Sequence, residues 1–300
     1  MKIVMYFGSL LLAALMFIHP QPNFEKTSAV VENSADDITF GTFNIHYISS
    51  RQKTMTWEER RGAVVEALRE GSADIIGFQE METFAGGRWN SENRQLNWVS
   101  EHFPEYSVTS VGDPRTYPST QPILYRRERF EALEQGYFFF SPNPDVIYSK
   151  PRSGRFDAFC SWSRLLDRKT GRSFTIYNVH FDAVSQQNRN KSARLVAERI
   201  SSRLHREDGV VLLGDFNSPK FLRPVTILRE TALKLANTTG STYHFYRGID
   251  ILPAIDHVFY SQDFIYRQTS VIRHRFEGVW PSDHYPVFVT LSPADRRPAE

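Results

Sequence analysis

Hydrophobic and polar positions along this 300-residue chain follow two periods. Short apolar runs, several of them ending in a polar residue, alternate with longer stretches where apolar residues return every three or four positions. The first pattern predicts buried strands and the second amphipathic helices. The clearest run is Val210-Val211-Leu212-Leu213-Gly214, which leads into Asp215-Phe216-Asn217. It is too short for a typical helix and is bounded by Gly209 and Pro219, residues that punctuate structure. Positions i and i+2 of a strand share a face. Asp215 and Asn217 are therefore expected to project together from the strand end.

The same form recurs along the chain. Residues 38–45 alternate, are rich in β-branched and aromatic side chains, and carry Asn44 near their end. Thr56 and Glu59 make a capping box. The helix it opens places Ala63, Val64, Ala67 and Leu68 on one face, with Gly71 as its stop. A second buried strand over 73–78 ends at Gln79-Glu80, and a short helix is predicted near 96–102. Strands follow over 106–111, 122–126 and 130–140, then a long loop over 143–157. Residues 159–167 and 172–179 predict a hairpin turned at Lys169-Thr170-Gly171, whose second arm runs into His180-Phe181-Asp182. A helix over 185–205 precedes the Asp215 strand, and 219–235 reads as helix with a break near Pro224. Strands over 242–246, 254–260, 269–273 and 285–291 close the chain, the last entered from Ser282-Asp283-His284. Strand–helix–strand units followed by many strands imply a layered α/β (α+β) domain.

The N-terminus breaks this pattern. Lys2 precedes an uncharged, mostly apolar run over residues 3–18, and then a polar stretch to residue 37. A basic start followed by an apolar run resembles a secretory signal. The expectation is an exported protein in which residues 1–29 are a signal peptide, and residues 30–300 form a single domain. The rival is an uncleaved anchor that associates with a membrane through residues 3–18.

Composition narrows the chemistry. Hydrophobic residues at 41% support a substantial core, and 23 Phe suggest bulky packing between layers. A net charge of +2 sets the chain apart from strongly basic nucleic-acid-binding proteins, although a local basic groove is compatible with it. The lone Cys160 excludes an intramolecular disulfide and reads as a buried small hydrophobe. Tyr137-Phe138-Phe139-Phe140 reads as core strand. The pairs Arg60-Arg61, Arg126-Arg127 and Arg296-Arg297 read as solvated faces.

What remains is a set of polar clusters at strand ends: Asn44, Gln79-Glu80, His180 with Asp182, Asp215 with Asn217, Asp256-His257 and Asp283-His284. Strand ends along one sheet edge converge, which is where α/β proteins place their sites. The set is rich in carboxylate and carboxamide oxygen and has no thiolate, so it suits Mg²⁺ or Mn²⁺ rather than a structural zinc. Some members have bland alternatives. Asp182 could be the N-cap of the helix that follows, and His257 is expected to face away if Asp256 faces in.

In their order, GTFN, GFQE, NVHFD, GDFN, IDHVF and SDH, these clusters resemble the endonuclease/exonuclease/phosphatase superfamily of DNase I-like metal-dependent phosphoesterases. The resemblance runs over residues 38–291. It implies a four-layer sandwich, two mostly antiparallel sheets flanked by helices. It also implies a hydrolase acting on a phosphodiester through metal- and Asp-activated water. By resemblance, Glu80 and Asn44 bind the metal, with Asp283 as a further carboxylate. Asp215 and Asn217 position and activate water, His284 faces the scissile phosphate, Asp256 holds His284, and His180 lines the phosphate pocket. A nucleic acid ranks ahead of a lipid or small-molecule phosphoester on family frequency alone. The rival from another class is a binding module without catalysis. No protein partner is inferred, and a monomer is expected. One departure stands out. Many secreted bacterial members carry an arginine shortly before the hairpin-strand Thr-Trp, whereas here the nearest arginines are Arg155 and Arg164.

Overall fold

A computed structural model describes residues 34–49, 51–81, 92–150, 158–204 and 209–295. The predicted signal or anchor, Arg155 and the Arg296-Arg297 pair lie outside the described residues.

The described elements run β1 (Ile38–Asn44), α1 (Trp57–Gly71), β2 (Ile75–Gln79), α2 (Arg94–His102), β3 (Tyr106–Thr109), β4 (Ile123–Arg126), β5 (Phe130–Phe139), β6 (Phe159–Asp167), β7 (Arg172–His180), α3 (Gln186–Leu204), β8 (Gly209–Asp215), α4 (Arg223–Arg229), β9 (Lys234–Leu235), β10 (Asp256–Tyr260), β11 (Phe264–Val271) and β12 (Val287–Pro293). They form two six-stranded sheets, ordered β11-β12-β1-β2-β4-β3 and β5-β6-β7-β8-β10-β9. Each sheet is antiparallel except for one parallel pair, β1 with β2 and β7 with β8. A parallel pair needs a long crossover, and α1 and α3 supply the two crossovers.

Strand alternation sorts the side chains into layers. Phe40 of β1, Ile75 of β2 and Val211 and Leu213 of β8 face inward and make the core between the sheets. Phe43, Ile76 and Phe78 face outward and pack with Val64 and Leu68 of α1 and Val99 of α2. Val210 and Leu212 face outward on the other side and pack with Ala193, Val196 and Ile200 of α3 and Val225 and Leu228 of α4. The result is the expected four-layer sandwich. It explains why β8 reads as an unbroken apolar run, since both of its faces are covered. Cys160 and the Phe138–Phe140 run are buried, as expected. Burial pushes the Cys160 thiol far up, away from the reactive thiolate.

Several readings change, among them the helix over 219–235, which is only Arg223–Arg229 with the strand Lys234–Leu235 after it, and the strand over 269–273, which runs Phe264–Val271. Thr56 and Glu59 do form a complete capping box. Gly71, however, is the last helical residue rather than the stop; that role falls to Ser72 in the left-handed conformation. Gly71 is needed for space, because a Cβ there would stand 2.0 Å from the Phe288 ring. Pro224 opens α4 instead of breaking a helix, since proline fits the first helical turn, where its missing N–H costs nothing. Residues 242–246 pair only through a bridge from Tyr243 to His284, because Phe245 and Tyr246 turn the chain at φ 57°. Arg60 is fully buried rather than solvated.

Two consequences for stability can be measured. Gly214 has φ 144°, and a Cβ there would lie 2.0 Å from the Val179 carbonyl oxygen. Backbone cannot move aside as a side-chain tip can. Gly214→Ala is expected to cost about 3 kcal/mol or more in urea unfolding, and a neutral result would contradict this register. His257 faces outward and is buried, with Nε2 2.9 Å from the Ser218 carbonyl oxygen. Burial pushes its pKa down from 6.5 to about 4. The native state therefore stays unprotonated while the unfolded chain takes up a proton. The stability linked to this group is fully present above pH 6.5 and is lost as pH falls to about 4, a loss of about 3 kcal/mol. His257→Gln is expected to flatten that part of the stability–pH curve, and an unchanged curve would exclude the assignment.

Candidate active site

Topology brings the polar strand ends together. β1 and β2 run parallel, so they finish at the same edge, with Asn44 beside Gln79 and Glu80 next in line. In the second sheet, His180 ends β7 beside Asp215, which ends β8. β10 runs the other way and begins there, with Asp256 opposite Asp215. Residues in register across neighbouring strands share a face, so His180, Asp215 and Asp256 form one row.

The two rows meet across the sandwich. Asn44 Nδ2 donates to Glu80 Oε1 and to Asp215 Oδ2, each at 3.1 Å. His180 Nε2 lies 3.7 Å from Glu80 Oε1 and 3.6 Å from Asp215 Oδ2. One carboxamide and one imidazole thus stand between a carboxylate of each sheet. Behind them, Gln79 Nε2 donates to Asn178 Oδ1 at 2.7 Å, and Asn178 Nδ2 donates to the Phe78 carbonyl at 2.8 Å. The expected pairing of Asp215 with Asn217 holds, but a turn makes it and not the pleat. β8 ends at Asp215, and Asn217 sits at φ 45°. Its backbone N–H donates to Asp215 Oδ1 at 2.8 Å, and its Nδ2 donates to the Phe181 carbonyl at 2.9 Å.

His284 faces the same centre. Its Nδ1 lies 3.0 Å from Asp256 Oδ2, and its Nε2 lies 3.8 Å from Asp215 Oδ2. Burial alone would lower its pKa. The carboxylates of Asp256, Asp215 and Asp283 outweigh burial and push it up to about 10. Desolvation meanwhile raises Asp256, so the buried pair keeps a proton at neutral pH.

Other residues fall elsewhere. Asp283 has no direct bond to Glu80 or Asp215 among the described residues. Its Oδ2 lies 3.3 Å from His46 Nδ1, and its Oδ1 accepts from Ser282 Oγ at 3.3 Å. Burial pushes Asp283 up, but the bond to His46 and the charge of His284 hold it at about 2. Asp182 caps the entry to α3, where its Oδ1 accepts from the Val184 and Ser185 N–H groups at 2.8 Å. Arg164 pairs with Glu134 at 3.5 Å and with Ser173 at 2.9 Å.

Sequence reading missed His46, Tyr243 and Tyr246. Tyr246 Oη lies 2.9 Å from His46 Nδ1, and the Tyr243 ring sits 4.7 Å from that of His284. Burial, then Asp283, Glu80 and Asp215, push the Tyr243 phenol to about 12, so it stays a donor. His46 carried a signal, since it lies two residues after Asn44. The tyrosines carried none, because the turn at 245–246 sets their place.

Two groupings could receive a cation. Asp215, Asp256 and His284 bring ligand atoms within 4.8 Å of one another. That trio is poorly suited, because a histidine that keeps its proton offers no lone pair. Glu80 offers two carboxylate oxygens, and hard oxygens suit Mg²⁺ and Mn²⁺. Asn44 turns Nδ2 toward Glu80 while its Oδ1 accepts from the His46 N–H at 3.1 Å, so its amide would have to turn over to add an oxygen.

The chain is similar to known proteins in sequence and in fold. The family model described as Endonuclease/Exonuclease/phosphatase family matches residues 41–284. Deoxyribonuclease-1-like 1 of Sus scrofa is 27% identical over 242 residues, 75% of this chain and 72% of that protein. A solved endonuclease/exonuclease/phosphatase family protein from Bacteroides thetaiotaomicron is 25% identical with a TM-score of 0.73, covering 86% of this chain and 98% of that one. A mannosyl-6-phosphatase of the same organism is also 25% identical with a TM-score of 0.72, covering 85% of this chain and 99% of that one. The family match takes in every strand end that reaches this centre, and the chain belongs to the endonuclease/exonuclease/phosphatase family.

Proposed function

We propose that the chain hydrolyses a phosphodiester with the help of Mg²⁺ or Mn²⁺, and that Glu80 and Asn44, with Asp283 nearby, hold the cation. The observation that carries this reading is the meeting of Glu80 and Asp215 from opposite sheets around Asn44 and His180. The Glu80 carboxylate fits such an ion, Asn44 would join it once its amide turns to present Oδ1, and Cys160 is out of reach in the core. A bound divalent cation neutralises charge on the phosphoryl oxygens and the leaving group.

The chain's own groups do the rest. Asp215 accepts the proton of the attacking water, whose oxygen bonds phosphorus as the ester oxygen leaves. Its Oδ1 is pinned by the Asn217 N–H, which aims the carboxylate. His284 stays protonated through Asp256 and directs Nε2–H at a phosphoryl oxygen, a bond that strengthens as charge builds. His180 lies beside both carboxylates and contacts the phosphate on the other side.

A nucleic acid is the leading substrate, and a deoxyribonuclease stands among the relatives. A second reading, a sugar phosphomonoester, is favoured by the mannosyl-6-phosphatase among the structural neighbours. We also propose that the protein works outside the cytoplasm, which rests on Lys2 and the apolar run over residues 3–18.

The test is nicking of supercoiled plasmid beside phosphate release from mannose 6-phosphate, each with Mg²⁺ and with EDTA. EDTA is expected to abolish the activity. Asp215→Asn and His284→Ala should each lower kcat by about 10²- to 10⁴-fold with an unchanged far-UV circular dichroism spectrum. Full activity in both variants, or turnover that survives EDTA, would overturn the reading.

A further inference from the structure

Arg60 is the largest fully buried side chain among the described residues, at 0% exposure. It sits in the first turn of α1, beneath the ends of the strands. A buried guanidinium is costly unless its donors are satisfied. Here Nε has no partner among the described residues, and the partners of Nη1 and Nη2 are informative. Nη1 donates to the Ile45 carbonyl and, at 3.0 Å, to the Pro281 carbonyl. Nη2 donates to the His46 carbonyl. None of these partners is a carboxylate, and all three are backbone.

The three carbonyls belong to two segments far apart in sequence. Ile45 and His46 directly follow Asn44, while Pro281 lies just before Asp283 and His284. One planar fork therefore grips the strand end that carries Asn44 and the loop that carries His284. A second bond runs alongside it, from Ser282 Oγ to the Asn44 carbonyl at 2.7 Å.

We propose that Arg60 is a positioning residue of the active site. It sets the spacing between the Asn44–Glu80 side and the Asp283–His284 side, on which the function proposed above rests. Lysine carries the same charge but not the fork. Its single ammonium cannot present two nitrogens in one plane to carbonyls on two segments.

The rival is a buried arginine that only stabilises the fold. Arg129 serves as a matched control. It grips the Asp36 and Asp37 carbonyls at 2.8 and 2.7 Å and Asp167, at the opposite end of β1. The full chain would carry Arg60→Lys or Arg129→Lys. Three readouts are taken: melting temperature, kcat and KM on the substrate that wild type turns over, and the low-field Nδ1–H proton resonance of His284. That resonance is assigned by its loss in His284→Gln.

Both lysine variants are expected to melt lower. Only Arg60→Lys should shift or broaden the His284 resonance and lower kcat by about 10- to 100-fold, with KM changed by less than about threefold. Arg60→Gln, whose amide still donates to carbonyls without burying a charge, is read the same way if the lysine variant does not fold. Wild-type resonance and wild-type kcat per folded molecule in these Arg60 variants would overturn the proposal. If wild type hydrolyses no phosphoester, the proposed function fails by itself, and the His284 resonance still decides the role of Arg60.

Discussion

The docking of one sheet onto the other through buried amides is the constraint on which everything else depends. Gln79 and Asn178 bond across the sandwich, and Gln121 Nε2 donates to the Phe159 and Asn178 carbonyls. A buried amide left unpaired costs about 1–3 kcal/mol, so these groups admit one register and exclude its neighbours. Apolar packing by Phe40, Leu213 and their neighbours drives the sheets together without saying where they stop. The amides say where. Asn44 then meets Asp215, and the centre exists only because both sheets contribute to it.

That centre concentrates negative charge in a buried place, and its neutralisation is divided. On one side, Asp256 and His284 hold a proton between them, so the charge there is met from within the chain. On the other, Glu80 has Asn44 and the Tyr47 N–H as hydrogen-bond donors, and His180 lies nearby. Neutral donors orient a carboxylate but do not cancel its charge, which leaves that side suited to a cation. Arg60 contributes from below. The charges of Asp283 and Glu80 favour its ionised form against the cost of burial.

The layered fold was legible because its signals are local. The β8 run, the capping box at Thr56 and Glu59, and the spacing of Ala193 and Ile200 each depend on neighbours in the chain. The strand-end residues were legible as a set because six motifs kept their order. The readings that failed depended on tertiary partners. Gly71 is glycine because of Phe288, more than two hundred residues away. Arg60 looks like any surface arginine on an amphipathic helix until the carbonyls of two distant segments are placed around it. Asn217 reached its expected partner by a turn that no pleat argument contains. Tyr243 and Tyr246 were invisible because a tight turn took the place of the strand that their composition suggests.

The most direct test is the anomalous scattering of crystals soaked in Mn²⁺. If the division of charge is right, the manganese peak stands against the Glu80 carboxylate, and His284 remains bonded to Asp256 with no metal on its Nε2. A peak enclosed by Asp215, Asp256 and His284 would contradict it, because the proton assigned to His284 would then have to leave.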